Sequence, residues 1–349
     1  MPVSKHFLGR SVVRWGILGC GDVTEVKSGP GFRKASGSQL VAVMRRNGAL
    51  AADYARRHGV QKSYDSAEAL IADPAVDAVY IATPPGSHAD YALKVAAAGK
   101  PAYVEKPMAR HAAECDRMVD AFADADLPLF VAFYRRRLPS FMKVRELLEA
   151  GAIGRVTGVT YRLAEPHHRK GDQWRVDASV AGAGHFLDLA SHALDLLDFF
   201  FGPLAEVDGG ATNVASSYDV EDSVALRFRT GEGALGSMSC NFASAARDDT
   251  MRLSGTDGEI TFPVFRSEPL RWDGPGGAQF FDLPYPPHVG QPLIQSVVDD
   301  LLGLGECPST GVSARKTSRV IDKALERFYG GRDDAFWARP ETWPGRRRS

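Results

Sequence analysis

The sequence predicts an α/β protein: a doubly wound parallel sheet first, then an α/β domain with a large, mostly antiparallel, open sheet. Three observations predict it. Short apolar runs alternate with helix-period stretches through the first third of the chain. The first of these runs enters a glycine turn, Gly19-Cys20-Gly21-Asp22-Val23-Thr24. Beyond Gly151 the spacing changes to longer alternating runs joined by glycine-containing turns.

The elements follow in order. Val12 to Leu18 reads as a buried strand, Leu40 to Met44 as the next, and Ala49 to His58 as a helix stopped by Gly59. Ala67 to Ile71 is a short helix, Ala78 to Ala82 a strand ending at Thr83-Pro84-Pro85, and His88 to Ala98 a helix stopped by Gly99. Ala102 to Glu105 is a strand, Ala112 to Ala123 a helix and Leu129 to Phe133 a strand. Such a βαβ series with short connections demands a parallel sheet. After the helix Phe141 to Glu149, the runs 156–163, 205–214, 223–228, 234–242 and 250–253 read as strands. Thr230-Gly231-Glu232-Gly233 and Gly255-Thr256-Asp257-Gly258 read as hairpin turns. Phe186 to Phe200, Leu293 to Leu302 and Ala314 to Phe328 are helices, Asp273 to Gly277 a surface loop and Arg346-Arg347-Arg348 a solvated tail. The expected boundaries are 1–134 for a nucleotide-binding domain and 135–349 for the second domain.

Composition excludes several classes. The 349 residues are 44% hydrophobic with net charge -1, which suits an ordinary globular protein and gives no basic excess for nucleic acid. Met1 to Arg10 lacks the apolar core of a signal peptide, and no apolar run reaches membrane-spanning length. Cys20, Cys115, Cys240 and Cys307 show no metal or disulfide spacing, so a reduced, cytoplasmic setting is expected.

Chemistry gathers at three places. In the glycine turn, Gly19 permits the tight bend and Gly21 lets a pyrophosphate approach the helix start at Asp22 and Val23. Thr24 stands where the fingerprint has a third small residue, so helix and strand are expected to pack slightly further apart. At the end of the second strand, Arg45-Arg46 replaces the acidic residue of an NAD site; the guanidinium groups suit a 2′-phosphate, so NADP is expected, with NAD possible. The alternative is two solvated arginines. The run Tyr103-Val104-Glu105-Lys106-Pro107 puts a lysine at a strand exit beside the nicotinamide crevice. In Gly182-Ala183-Gly184-His185-Phe186-Leu187-Asp188-Leu189-Ala190-Ser191-His192, Asp188 and His192 are four apart on one helix face, a tunable proton relay near neutral pH. The bland reading is a capped helix with a satisfied histidine. A metal site of His185, Asp188 and His192 is set aside, because His185 and His192 lie two turns apart; no metal is expected.

With these motifs in order, the chain resembles the glucose-fructose oxidoreductase / inositol dehydrogenase / rhizopine-catabolism (Gfo/Idh/MocA) family from Val12 to about Tyr329. The resemblance rests on the glycine turn, Ala82-Thr83-Pro84-Pro85 with His88, Ala98-Gly99-Lys100 leading to Glu105-Lys106-Pro107, and the Asp188/His192 helix. It implies a Rossmann domain followed by a substrate and oligomerisation domain, a nicotinamide cofactor and a sugar, polyol or related substrate. By that resemblance Lys106 and His192 handle protons, and Asp188 positions the substrate or His192. Gly19, Gly21, Asp22, Val23, Arg45, Arg46, Thr83, Pro84, His88 and Glu105 are expected to hold the cofactor, and Trp174-Arg175 resembles a Trp-Arg pair that reaches it in some sugar-reducing relatives. Tyr134, where many relatives have asparagine, and Arg135 are expected to shape the pocket. An exposed run is the alternative for Arg135-Arg136-Arg137. Pro85 also departs from the pattern, so the substrate cannot be copied from a known member.

The reading is an NADP-dependent oxidoreductase of a sugar-like carbonyl or secondary alcohol, with no nucleic-acid or membrane partner. Rival readings are an NAD-retaining glycoside hydrolase of the same family and a non-catalytic dinucleotide-binding sensor. A homodimer or homotetramer through residues 205–283 is expected, because an uncovered sheet face would expose apolar area.

Overall fold

The computed structural model describes residues 9–166 and 173–347. It divides into two compact units. The first gathers the chain up to Ala109, Glu114–Arg137 and Pro286–Arg315; the second gathers Arg110–Ala113, Leu138–Tyr285 and the chain from Lys316.

The first unit is built on six strands: β1 (Val13–Leu18), β2 (Ser38–Met44), β3 (Lys62–Tyr64), β4 (Ala78–Ile81), β5 (Ala102–Val104) and β6 (Leu129–Val131). All pair in parallel, in the order β3-β2-β1-β4-β5-β6. The order reverses between β1 and β4, the switch point where a doubly wound sheet opens a crevice at its carboxyl ends. Both faces are buried, as an all-parallel sheet requires. Val79 and Ile81 of β4 face a cluster with Leu70, Val95, Met118 and Phe122. Tyr80, pointing the other way, joins Trp15, Phe32 and Tyr103, with ring centroids 4.9–6.2 Å apart between neighbours. The helix Gln291–Leu301 covers that second face, inserting Leu293, Ile294, Val297, Val298 and Leu301.

The second unit holds an eight-stranded sheet: β7 (Val156–Pro166), β8 (Ala205–Thr212), β9 (Ser223–Arg229), β10 (Leu235–Ser244), β11 (Asp248–Gly255), β12 (Glu259–Phe262), β13 (Leu270–Gly274) and β14 (Gly277–Phe281). Its order is β14-β13-β12-β11-β7-β10-β9-β8, with β7 and β10 parallel and every other pair antiparallel. Strict alternation drives one face inward: Val159, Tyr161, Leu163, Leu226, Phe228, Met238, Cys240, Met251 and Leu253 are all buried.

Several expectations change. Asp273–Gly277 is not a surface loop but the tip of the β13–β14 hairpin, turning on Pro275-Gly276. Its glycine-rich composition hid two strands. The outward sheet face is mostly polar: Thr157, Thr160, Arg162, Arg227, Ser237, Ser239, Asn241 and Arg252 are exposed there, with Leu235 on β10 and Phe280 on β14 the large apolar exceptions. Arg346 is not loose, because its guanidinium donates to both carboxylate oxygens of Asp219 at 2.8 and 3.0 Å. Arg348 and residues 1–8 of the N-terminal stretch lie outside the described residues. Thr24 is fully buried, donating its hydroxyl to the Gly21 carbonyl at 2.7 Å. The helix that follows comes close at Gly29, where an added Cβ would lie 2.1 Å from the Thr24 carbonyl oxygen. No helix among the described residues is long and apolar enough to cross a membrane.

Candidate active site

The parallel sheet places its strand exits in one row, and backbone bonds stitch neighbouring exits together. Gly19 and Cys20 donate to the Met44 carbonyl at 2.9 and 3.1 Å. Ala82 donates to Leu18 and Glu105 to Ile81, both at 2.8 Å, and Ala132 to Val104 at 2.8 Å. Gly19, Arg45, Thr83, Glu105 and the start of the Tyr134 turn therefore lie along one edge of this unit.

The glycines fit a bound pyrophosphate. Gly19 has φ +89°, and an added Cβ would sit 2.8 Å from Thr83 Cγ2 and 3.0 Å from the Ala82 backbone. Only glycine occupies that position without strain. Gly21, capping the helix Asp22–Val26, has nothing within 4 Å of where its Cβ would be. That open space is what a phosphate approaching the backbone amides needs. At the end of β2, Arg45 and Arg46 are exposed and make no ion pair among the described residues. Arg45 is near enough to the glycine turn to pull down the Cys20 thiol, which burial pushes up to about 11.

Thr83 and Pro84 leave β4, and the Ser87 hydroxyl donates to Thr83 Oγ1 at 2.8 Å. His88 is fully buried behind them. Its Nε2 faces the Thr83 carbonyl at 2.6 Å and its Nδ1 the Pro107 carbonyl at 3.0 Å. The ring thus ties the β4 exit to the loop carrying Lys106, whose peptide bond to Pro107 is cis. Burial pushes the His88 pKa down against the pull of those carbonyls.

Glu105 is partly buried, and burial raises its pKa. Tyr80 donates its hydroxyl to one carboxylate oxygen, and the Lys106 amide donates to the other at 3.1 Å. Sequence reasoning missed Tyr80, since a tyrosine within a buried strand carries no signal beyond packing. Lys27 was missed too; its charge reaches Glu105 from the end of the first helix. Tyr134 and Arg135 form a unit, the guanidinium donating to the phenol oxygen at 2.9 Å. The exposed charge run is ruled out: Arg135 and Arg136 are each 4% exposed in a 3-10 turn, and Arg136 donates to the Pro308 carbonyl at 2.9 Å. A burial this complete needed partners from residues 306–308, which the local sequence could not reveal.

In the second unit the Gly182–Gly184 segment leads into a π-helical turn, Phe186–Ala190, before the α-helix Ser191–Phe201. Asp188 therefore lies in a wider turn than the continuous α-helix expected from the spacing. Its carboxylate pairs with Arg175 Nε at 3.3 Å, and that guanidinium lies over the Trp174 ring at 4.3 Å. Trp174, Arg175 and Asp188 are thus brought together. His192 is 3% exposed, with the Phe265 ring edge-on to it at 6.0 Å. His185 is buried against Tyr218 and Phe242. Among the described residues, no three His, Cys, Asp or Glu side chains are grouped to hold a metal ion.

Comparison with known proteins gives the family. Residues 13–133 match the oxidoreductase family with the NAD-binding Rossmann fold, and residues 141–261 match the GFO/IDH/MocA C-terminal domain. The chain belongs to the GFO/IDH/MocA family of oxidoreductases. It is 35% identical over 319 residues to oxidoreductase P35 of Formosa agariphila, covering 89% of this chain and 98% of the relative. It is 30% identical over 256 residues to the 1,5-anhydro-D-fructose reductase of Ensifer adhaerens, covering 71% and 74%. The levoglucosan dehydrogenase of Pseudarthrobacter phenanthrenivorans is 32% identical over 255 residues, covering 64% and 65%. Among solved structures, a levoglucosan dehydrogenase bound to NADH superposes with TM-score 0.80 at 24% identity, covering 90% of this chain and 96% of the other. The aldose-aldose oxidoreductase of Caulobacter crescentus, complexed with glycerol, gives TM-score 0.81 at 24% identity, covering 90% and 97%. The expected fold class is therefore established: a Rossmann unit plus a large, mostly antiparallel sheet, in an NAD-binding oxidoreductase family whose members include levoglucosan dehydrogenase, 1,5-anhydro-D-fructose reductase, myo-inositol 2-dehydrogenase and trans-1,2-dihydrobenzene-1,2-diol dehydrogenase.

Proposed function

We propose that the protein is an NADP-dependent oxidoreductase that moves a hydride between the cofactor and a sugar, polyol or related carbonyl or secondary alcohol. The observation that carries the cofactor preference is the exposed Arg45-Arg46 pair at the end of β2, one backbone rung from Gly19. An NAD site uses an acidic residue there, whereas two guanidinium groups suit a 2′-phosphate through charge-assisted bonds. Gly19 and Gly21, with the Asp22 and Val23 amides, would hold the pyrophosphate, and Thr83, Pro84 and Glu105 would flank the nicotinamide. Trp174 and Arg175 are assigned to the same cofactor, and His88 supports it by fixing the loop of Lys106. The substrate class is supported by the names of relatives such as levoglucosan dehydrogenase and 1,5-anhydro-D-fructose reductase.

When bound, the nicotinamide supplies or accepts the hydride. In the reductive direction Lys106 Nζ or the His192 imidazole gives a proton to the carbonyl oxygen, and the lysine charge stabilises the developing alkoxide. Asp188 orients substrate or His192, while Tyr134 and Arg135 shape the pocket. Four buried free cysteines suit a reduced, cytoplasmic setting.

Titration of the purified protein with each dinucleotide tests the cofactor assignment. Each charge-assisted bond contributes about 1.5–3 kcal/mol, so NADPH is expected to bind at least about tenfold tighter than NADH. Replacing both arginines should remove that gap by weakening NADPH. Equal affinities in the unaltered chain would refute NADP preference. A screen of sugars and polyols, read by NADPH absorbance, tests the substrate class; a protein that turns over none of them while carrying a non-exchanging NAD would favour the glycoside-cleaving relative instead.

A further inference from the structure

Resting on the roles given above to Asp188 and His192, we propose that Glu221, Arg332 and Asp249 are positioning residues that fix where the Asp188–His192 helix stands. Three buried charges surround the segments that lead into and flank this helix, and each makes at least one hydrogen bond to their backbone.

The lead-in segment is pressed against its neighbours. Gly182 has φ +93°, and an added Cβ would lie 2.6 Å from Arg110 Cα; at Gly184 it would lie 2.5 Å from the Glu221 carbonyl oxygen. Glu221 is fully buried. One of its carboxylate oxygens accepts the Gly184 amide at 3.0 Å, and the other accepts the Tyr329 hydroxyl. Arg332 donates from Nη1 to the Gly182 carbonyl at 2.9 Å, from Nη2 to the Arg110 carbonyl at 2.6 Å and from Nε to Asp322 at 2.8 Å. Its guanidinium also lies over the Tyr329 and Phe336 rings, at 5.0 and 4.6 Å.

On the flank, Asp249 is 3% exposed. It accepts the Tyr161 hydroxyl at 3.0 Å and the Val264 and Phe265 amides at 2.9 and 2.7 Å. Phe265 is the ring that packs edge-on against His192. A buried charge is costly unless fully paired, and an apolar side chain could fill the same volume. What these groups add over apolar packing is direction: the lead-in to the helix and the ring beside His192 are each held by named bonds. Burial raises the Glu221 pKa, in keeping with its enclosed setting.

The test uses the full chain and needs no substrate for its first readout. The His192 ring C–H signal is identified in labelled protein by its absence from His192→Ala, then followed through a pH titration in Glu221→Ala, Glu221→Gln and Asp249→Asn. Turnover and NADPH affinity are measured on the same preparations. Glu221→Gln can still accept the Gly184 amide and donate to Tyr329, so it should leave the signal in place. Glu221→Ala should move both the signal and its midpoint and lower turnover roughly 10–100-fold, the scale of a small misplacement of a reacting group. Asp249→Asn sets an NH2 against backbone donors and should do the same, and NADPH affinity should stay within about twofold in all three variants, since none holds phosphate. If Glu221→Ala fails to fold, Tyr329→Phe removes a single hydroxyl and should shift the His192 signal less, in the same direction. Folded variants with an unmoved His192 signal would overturn the proposal. An unaltered protein that reduces no sugar or oxidises no polyol would instead overturn the proposed function, and the His192 signal would still decide this point.

Discussion

Lys106 and His192 differ in how the fold holds them. Lys106 follows a partly buried Glu105 whose carboxylate accepts the Lys106 amide, so the chain direction at the lysine is set by its neighbour. His192 is almost wholly enclosed, and a ring that does proton work from such a place depends on groups around it. If both handle protons, Lys106→Ala and His192→Ala should each lower turnover by roughly 10²–10⁴-fold while leaving NADPH binding near normal. Asp188→Asn tests a different role, because its carboxylate also holds Arg175 against Trp174; a positioning role predicts a smaller loss. Dinucleotide binding and turnover on the same samples decide this: full activity in either alanine variant would remove that residue from the mechanism, and lost cofactor binding would mark it as structural. The residue types at these positions were legible in the sequence. Their partners were not, because Tyr80 reaches Glu105 across neighbouring strands and Phe265 reaches His192 from far along the chain.

Among the elements, the first helix after the glycine turn shows how short segments are anchored. Asp22–Val26 is only five residues long and has no side-chain cap, too short to persist alone. Glu25 fastens it to the helix Gly48–His58, accepting from Arg57 at 2.6 and 3.0 Å and pairing with His58 at 2.7 Å. Hydrogen bonding from Arg57 holds the Glu25 carboxyl down to about 2, against an ordinary value of 4.5. A carboxyl lowered in this way stabilises the folded state fully above its ordinary pKa and loses that contribution as pH falls toward about 2. Glu25→Gln should therefore melt a few degrees lower than the parent at pH 7, with the difference closing by about pH 2 in thermal melts. A gap that persists unchanged at pH 2 would refute the assignment. The glycines at 59 and 99 read correctly as helix stops, since each takes a left-handed φ, +65° and +71°. The π turn at Phe186–Ala190 was not legible, because a spacing of four between Asp188 and His192 reads as α-helix whatever the backbone does.

At the scale of the whole molecule, the second sheet bears on assembly. The outward face of the second sheet carries cross-strand ion pairs, Arg162 with Asp248 at 3.2 Å, Arg227 with Asp208 at 3.4 Å and Arg252 with Glu259 at 3.3 Å. If the homodimer or homotetramer expected from the sequence forms through residues 205–283, a mostly polar face of this kind should hold it partly by charge rather than by apolar burial, and light scattering at micromolar concentration should show more dissociation as salt rises. A monomeric mass at low salt would refute the assembly. The sequence by itself determined five of the six parallel strands, missing the short exposed β3, along with the glycine turn and most of the second sheet's strands, because periodicity and glycine placement are local and each is enforced by sterics or by burial of one face. Tertiary structure alone decided which exposed-looking residues are buried. For Arg135 and Arg136 the sequence left a pocket role and an exposed charge run both open until chain from residues 306–308 is folded against them, and Glu221 carried no local signal until the Gly184 amide and Tyr329 met it. It also decided that Gln291–Leu301 closes a face of the first sheet rather than extending the second. An amphipathic helix declares that it must bury a stripe, but which apolar surface receives it is settled by where the chain can carry it.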